Sequence, residues 1–187
     1  MVSISTVERS TPLFFRWLAA SAIGTGLGIS AGILATLSAQ NVPWINVDRF
    51  FAWALFLSIG IFLGLVQGGV IAASLSRSVA WFPATIIGFL LASGALIVPQ
   101  PDLPGLWNDA LLFAFMGAAI GIAQWWVLRP HLRLSGLWIA ASVLGFQSFL
   151  WLVAHPAGSN LELVIVGTIL GAIGAAATGL LLHRLRR

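Results

Sequence analysis

The chain has 187 residues, of which 59% are hydrophobic and 7% charged, with a net charge of +4 and a mean hydropathy of +1.02. So few polar residues cannot clothe a water-soluble globule of this length, which places the chain in a bilayer. It has no Cys, and this excludes a disulfide framework, a thiolate metal site and a Cys nucleophile.

Six apolar stretches follow in order, roughly 13 to 39, 50 to 75, 79 to 98, 107 to 128, 136 to 154 and 160 to 182. Each reaches the ~20 residues that a helix needs to cross about 30 Å of hydrocarbon. The expected fold is therefore all-α, an integral membrane bundle of six helices. The first stretch is too long for a signal-peptide core, follows Glu8, and leaves through Leu37-Ser38-Ala39, which is not a small-x-small exit; it is read as the first spanning helix. The expected organisation is a short cytoplasmic segment (1–12), a single transmembrane domain (13–183) and a basic cytoplasmic tail (184–187).

Along these stretches a pattern recurs three times. WLAASAIG (17–24), WFPATIIG (81–88) and WIAASVLG (138–145) each lead into a glycine-spaced segment, GIFLGLVQ (60–67), GAAIGIAQ (117–124) and GTILGAIG (167–174). The implied units are two-helix hairpins, 13–75, 79–128 and 136–182, all in one orientation. They constitute parallel repeats about a pseudo-threefold axis along the membrane normal.

Arginine placement orients the bundle. Arg9, Arg16, Arg77, Arg129, Arg133, Arg184, Arg186 and Arg187 fall on one side and Arg49 on the other, so both termini are expected in the cytoplasm. Asp48, Asp102, Asp109 and Glu162 fall outside. The sequence pI of about 11.7 is explained by this asymmetry, since no basic stripe with interleaved aromatics marks a nucleic-acid surface. Trp17, Trp81, Trp126 and Trp138 on the inner side, with Trp44, Trp53 and Trp107 on the outer, read as aromatic belts at the headgroups. Turn-forming Pro and Gly gather in the outer loops, in 40–43, 99–105 and 155–160.

Gly60 and Gly64, Gly117 and Gly121, and Gly167 and Gly171 are each four apart and form a small-residue face on each second helix. Such faces let backbones approach, and the three second helices are expected to meet through them. Gln67 and Gln124 continue two of these faces, with Gly174 in the third place. An amide facing lipid would strand its polar atoms, so both point inward, either as interhelical bonds or as anchors for a bound ligand; Gln147 joins either arrangement. Ser21, Thr85 and Ser142, at one matching position, are read as packing residues that bond back to a carbonyl.

Beyond the first turn of each expected helix, where Arg16, Asp109 and Glu162 stand, there is no Asp, Glu, Lys, Arg or His, which argues against proton relays and ion-coupled transport. His131, His155 and His183 lie at helix ends or in loops on different sides, so no metal site is expected.

The segment 117–129, GAAIGIAQWWVLR, followed by WIAASVLG, resembles the GxxxGxxQWxxLR repeat of uncharacterised multi-spanning membrane proteins of bacteria, notably cyanobacteria. The resemblance is specific in the fourth helix and extends over helices two to six by repetition. It departs at Gly68-Gly69 and at Gly174. It implies the multi-spanning fold and a bacterial cytoplasmic or thylakoid membrane, and no particular activity or cofactor.

Three classes of function follow, in order. The first is a non-enzymatic membrane protein that binds a lipid, quinone or pigment, or serves as a subunit or assembly factor of a membrane complex. The second is a carrier or pore not coupled to protons, and the third an intramembrane enzyme, for which no acid, base or nucleophile constellation is visible. Expected partners are the bilayer, a hydrophobic ligand or other membrane subunits, and not nucleic acid.

Overall fold

A computed structural model describes residues 13–43, 46–73, 80–94, 106–132 and 134–184; the side chains of Asp48, Arg49, His183 and Arg184 are not among them. The remaining positions lie outside the described residues. They include the N-terminal segment, most of the tail, Trp44, Arg77, Arg133 and the 99–105 loop.

Seven helical segments follow: α1 (Leu13–Ala39), α2 (Val47–Ala72), α3 (Trp81–Gly94), α4 (Trp107–Leu128), α5 (Leu137–Gln147), α6 (Leu150–Ala154) and α7 (Asn160–Arg184). Segments α5 and α6 form one apolar span, 137–154, so the architecture is a six-helix bundle in which five helices are long and apolar enough to cross a membrane. This is an integral membrane protein. Helix α3 is the short member, at 14 described residues, and Pro83 sits in its first turn, where a missing N–H costs no helical bond.

The helices close into a ring. Each of α1 to α4 packs on its successor, α5 packs on α7, and α7 returns to α1. Glycines set the separations. In α1, Gly24, Gly28 and Gly32 face Leu63, Ile59 and Leu55 of α2, and a Cβ built on Gly24 or Gly32 would lie 2.7 Å from the facing Cα. Gly88 stands at the same 2.7 Å from Ile120 Cα, joining α3 to α4, while Gly145 faces the Gly174 backbone, joining α5 to α7.

The expected single helix over 136–154 is interrupted at Ser148 and Phe149. Ser148 Oγ donates to Gly145 O at 2.7 Å and is also 3.2 Å from Leu170 O on α7, drawing carbonyls away from the main-chain ladder. The N–H groups of Ser148, Phe149, Trp151 and Leu152 accordingly reach back three residues rather than four.

The start of α7 is fixed by a capping arrangement. Ser159 Oγ accepts from Glu162 N at 3.2 Å, and Glu162 Oε2 accepts from Gly158 N at 2.7 Å. Between α4 and α5 the chain turns at Pro130. Trp125 Nε1–H donates to Ser135 Oγ at 3.0 Å there, and the Arg129 guanidinium lies 3.6 Å from the Trp126 ring centroid.

Candidate functional site: a tryptophan-floored cavity

Trp17, Trp81 and Trp138 begin, or lie near the beginning of, α1, α3 and α5, so the ring brings them to the same end of the bundle. Their side chains turn inward and meet. The ring centroids are 5.6, 5.7 and 5.7 Å apart, with interplanar angles of 77°, 73° and 84°, a mutually edge-to-face triad. All three are at most 1% exposed. The belt reading therefore fails for these three: their indoles form the floor of the bundle interior. Trp107 and Trp126, at 67% and 61% exposed, do project outward.

Each triad member starts a polar strip. Four residues on, where a helix returns to the same face, stand Ser21, Thr85 and Ser142. They donate to the carbonyls of Trp17, Trp81 and Trp138 at 2.9, 3.0 and 2.9 Å. The back-bonding is as expected, and two of the hydroxyls do more. Ser21 Oγ accepts from Gln67 Nε2 at 2.9 Å, and Thr85 Oγ1 from Gln124 Nε2 at 3.1 Å. Because both hydroxyl hydrogens go to carbonyls, the amide group facing each must be the NH2.

The opposite side of the Gln124 amide completes the link: Trp138 Nε1–H donates to Gln124 Oε1 at 3.0 Å. Trp17 Nε1–H donates to Thr178 Oγ1, also at 3.0 Å. Trp81 Nε1 and Gln67 Oε1, at the corresponding positions, are fully shielded and have no partner among the described residues.

Gln67 and Gln124 thus do not bond to one another; each ties a second helix to the hydroxyl of the helix before it. Gln147 stands apart from both. Its Nε2 donates to Ala110 O on α4 at 3.2 Å, and it does not line the interior.

The glycine faces also sit differently from the expectation. Gly60 and Gly64 pack on Phe89 and Thr85 of α3, Gly117 and Gly121 on Val143 and Ser142 of α5, and Gly167 and Gly171 on Ile29 and Thr25 of α1. Each face therefore meets the helix that follows it around the ring. Helices α2, α4 and α7 share no substantial interface among the described residues, because the first helices and the interior lie between them.

Register differs as well. Gly60 and Gly117 each pack against the residue eight after a triad Trp, Phe89 and Phe146; the residue eight after Trp17 is Thr25, and it is Gly171 that packs there. Pairing Gly167 with Gly60 and Gly117 is thus one helical turn out, and Thr178, not Gly174, takes the place of Gln67 and Gln124. The signal was present in Gly171-Ala172-Ile173-Gly174-Ala175-Ala176-Ala177-Thr178, masked by glycines that fit either register.

Above this floor the ring holds a partly open cavity of about 240 Å³. Trp17, Ser21, Gln67, Gln124, Ser142 and Thr178 line its polar end; Ile29, Ile59, Leu63, Phe89, Ile120, Phe146 and Phe149 are among its apolar walls. No charged side chain lines it, and no cluster of potential metal ligands occurs among the described residues. The chemistry on offer is apolar contact plus neutral donors and acceptors at one end. No known family, curated protein or solved structure matches this chain.

Proposed function

We propose that the protein is a non-enzymatic membrane protein that holds a hydrophobic ligand inside its helical ring, with the ligand's polar end toward the tryptophan floor. The observation that carries this reading is the 240 Å³ apolar cavity with its amides and most of its hydroxyls gathered at one end. It exceeds the roughly 150 Å³ apolar cavity that accommodates benzene, and falls short of the roughly 300 Å³ at which drug-sized sites begin. A single ring or one short chain is the matching occupant.

The contacts at the floor support three parallel two-helix units around a pseudo-threefold axis, and the arginine asymmetry supports a cytoplasmic position for that floor and both termini. Segment 117–129 supports kinship with the GxxxGxxQWxxLR membrane proteins of bacteria. Three edge-to-face indoles across the axis speak against an open pore, and the lack of charged lining against proton coupling.

Native mass spectrometry of protein released gently from its own membranes tests the reading: a one-to-one apolar adduct is expected. A bare chain that also takes up no added apolar molecule refutes it, as does solute uptake driven by a pH gradient in liposomes.

A further inference from the structure

Eight polar side chains are buried among the described residues, and seven of them make hydrogen bonds; Thr25, 2% exposed, makes none. This is unusual for a helix hydroxyl, which ordinarily donates to the carbonyl four residues back, as Ser21, Ser30, Thr36 and Ser38 do on the same helix. Thr25 lines the cavity one turn beyond Ser21.

Its position also accounts for space in the ring. Phe89 packs on Gly60 and Phe146 on Gly117, whereas Thr25 packs on Gly171 in the third such contact. A hydroxyl stands where the other two contacts place a benzyl ring, so the cavity is extended and given a polar atom by the same residue.

We propose that Thr25 is the hydrogen-bond donor that anchors a neutral, carbonyl-bearing apolar ligand in the cavity. The inference rests on the ligand-binding reading above and adds the ligand's functional group. Ser21, Ser142 and Thr178 give their hydrogens to the carbonyls of Trp17, Trp138 and Ala175, which leaves Thr25 with the uncommitted O–H. Gln124 Oε1 is taken by Trp138 and the unpartnered Gln67 Oε1 is fully shielded, so the polar hydrogens left on the lining residues, those of Thr25 and of the Gln67 and Gln124 amides, make it a donor surface. A carbonyl oxygen accepts from them and brings no hydrogen of its own to place. A carboxylate or phosphate would enter a cavity with no cation among the described lining residues to receive it.

Thermal unfolding of delipidated protein at increasing concentrations of 2-nonanone, nonane, 1-nonanol or nonanoate yields an apparent Kd for each, after correction for partition into protein-free detergent. One net hydrogen bond predicts 2-nonanone bound about three- to tenfold more tightly than nonane, with nonanoate weakest. Thr25→Val, which keeps the shape and removes the hydroxyl, should erase the ketone's advantage and retain nonane binding. Thr25→Phe, copying Phe89 and Phe146, should exclude both; if that variant does not fold, the isosteric Thr25→Val decides. Equal affinity for nonane and 2-nonanone in the unsubstituted protein, or an advantage that survives Thr25→Val, overturns the role of Thr25 and leaves the cavity reading standing. Tighter binding of 1-nonanol than of the ketone would make Thr25 an acceptor, and nonanoate binding as tight as the ketone would remove the neutrality; either overturns the inference. No stabilisation by any probe overturns the ligand-binding reading itself.

Discussion

Replacing each triad tryptophan by Phe separates the hydrogen bonds of the floor from its packing. All three indoles are at most 1% exposed, and each touches the other two at 5.6–5.7 Å, so loss of ring volume and edge-to-face contact is shared by the three variants. The N–H bonds are not shared. Trp138→Phe leaves Gln124 Oε1 a buried acceptor without its donor, whereas Trp81→Phe removes an N–H that has no partner. An orphaned buried acceptor costs about 1–3 kcal/mol in water-soluble proteins, and interhelical bonds in membranes about 0.6–1.7 kcal/mol, so Trp138→Phe should exceed Trp81→Phe by about 1–2 kcal/mol. For a chain of this length that corresponds to a Tm difference of about 2–8 °C. Trp17→Phe should fall between them, because its acceptor, the Thr178 hydroxyl, still donates to Ala175 O at 3.0 Å. Thermal unfolding of ligand-free protein in one detergent, followed by far-UV circular dichroism, reads the order. A Trp81→Phe loss equal to or larger than that of Trp138→Phe would refute the bonding scheme.

Two further outcomes test the packing and the orientation. Gly88→Val should cost about 1–3 kcal/mol by forcing α3 from α4, since its Cβ would meet Ile120 Cα at 2.7 Å, while Gly69→Val, with nothing within 4 Å, should stay within about 0.5 kcal/mol; equal losses in thermal stability would mean that the α3–α4 approach is wrong. A Cys placed at Gly136 in the naturally Cys-free chain should react with a membrane-impermeant maleimide only from the cytoplasmic side, and one at Ser159 only from outside; the reverse pattern would invert the topology drawn from the arginines.

Helix positions were readable because the length of an apolar run depends on composition along the chain and needs no knowledge of neighbours. Expected spans 13–39 and 107–128 coincide with α1 and α4. The inward direction of Gln67 and Gln124 was readable for a similar reason: an amide has no favourable partner in lipid. Trp17, Trp81 and Trp138 read as belt residues, unlike their place in the fold, because an indole near a helix end suits either the headgroups or a bundle interior. The distinguishing cue was a hydroxyl four residues after each of Trp17, Trp81 and Trp138, which puts the indole on the polar and hence inward face. Thr25 carries no signal in the sequence, and that of Thr178 is masked. Their importance arises from what α7 brings against α1, and the spacing of Gly167, Gly171 and Gly174 allowed two registers a turn apart. The bend at Ser148 was equally hidden, since it depends on a carbonyl of α7.

The floor bonds share a rotational sense. From Trp138 on α5 the donors run to Gln124 on α4, then to Thr85 and the Trp81 carbonyl on α3; from Gln67 on α2 they run to Ser21 and the Trp17 carbonyl on α1; and Trp17 itself passes on to Thr178 on α7. Each interhelical N–H points the same way around the axis, and each hydroxyl passes its own hydrogen to a carbonyl of its own helix. Bonds in such a sequence polarise their neighbours, with strengthening of about 10–30% per bond. A substitution at one helix is therefore felt electronically at helices it does not touch, and losses at Gln124 and Thr85 should not be additive. The direction of the circuit also gives this end of the bundle a handedness of its own, set by which residue donates and which accepts.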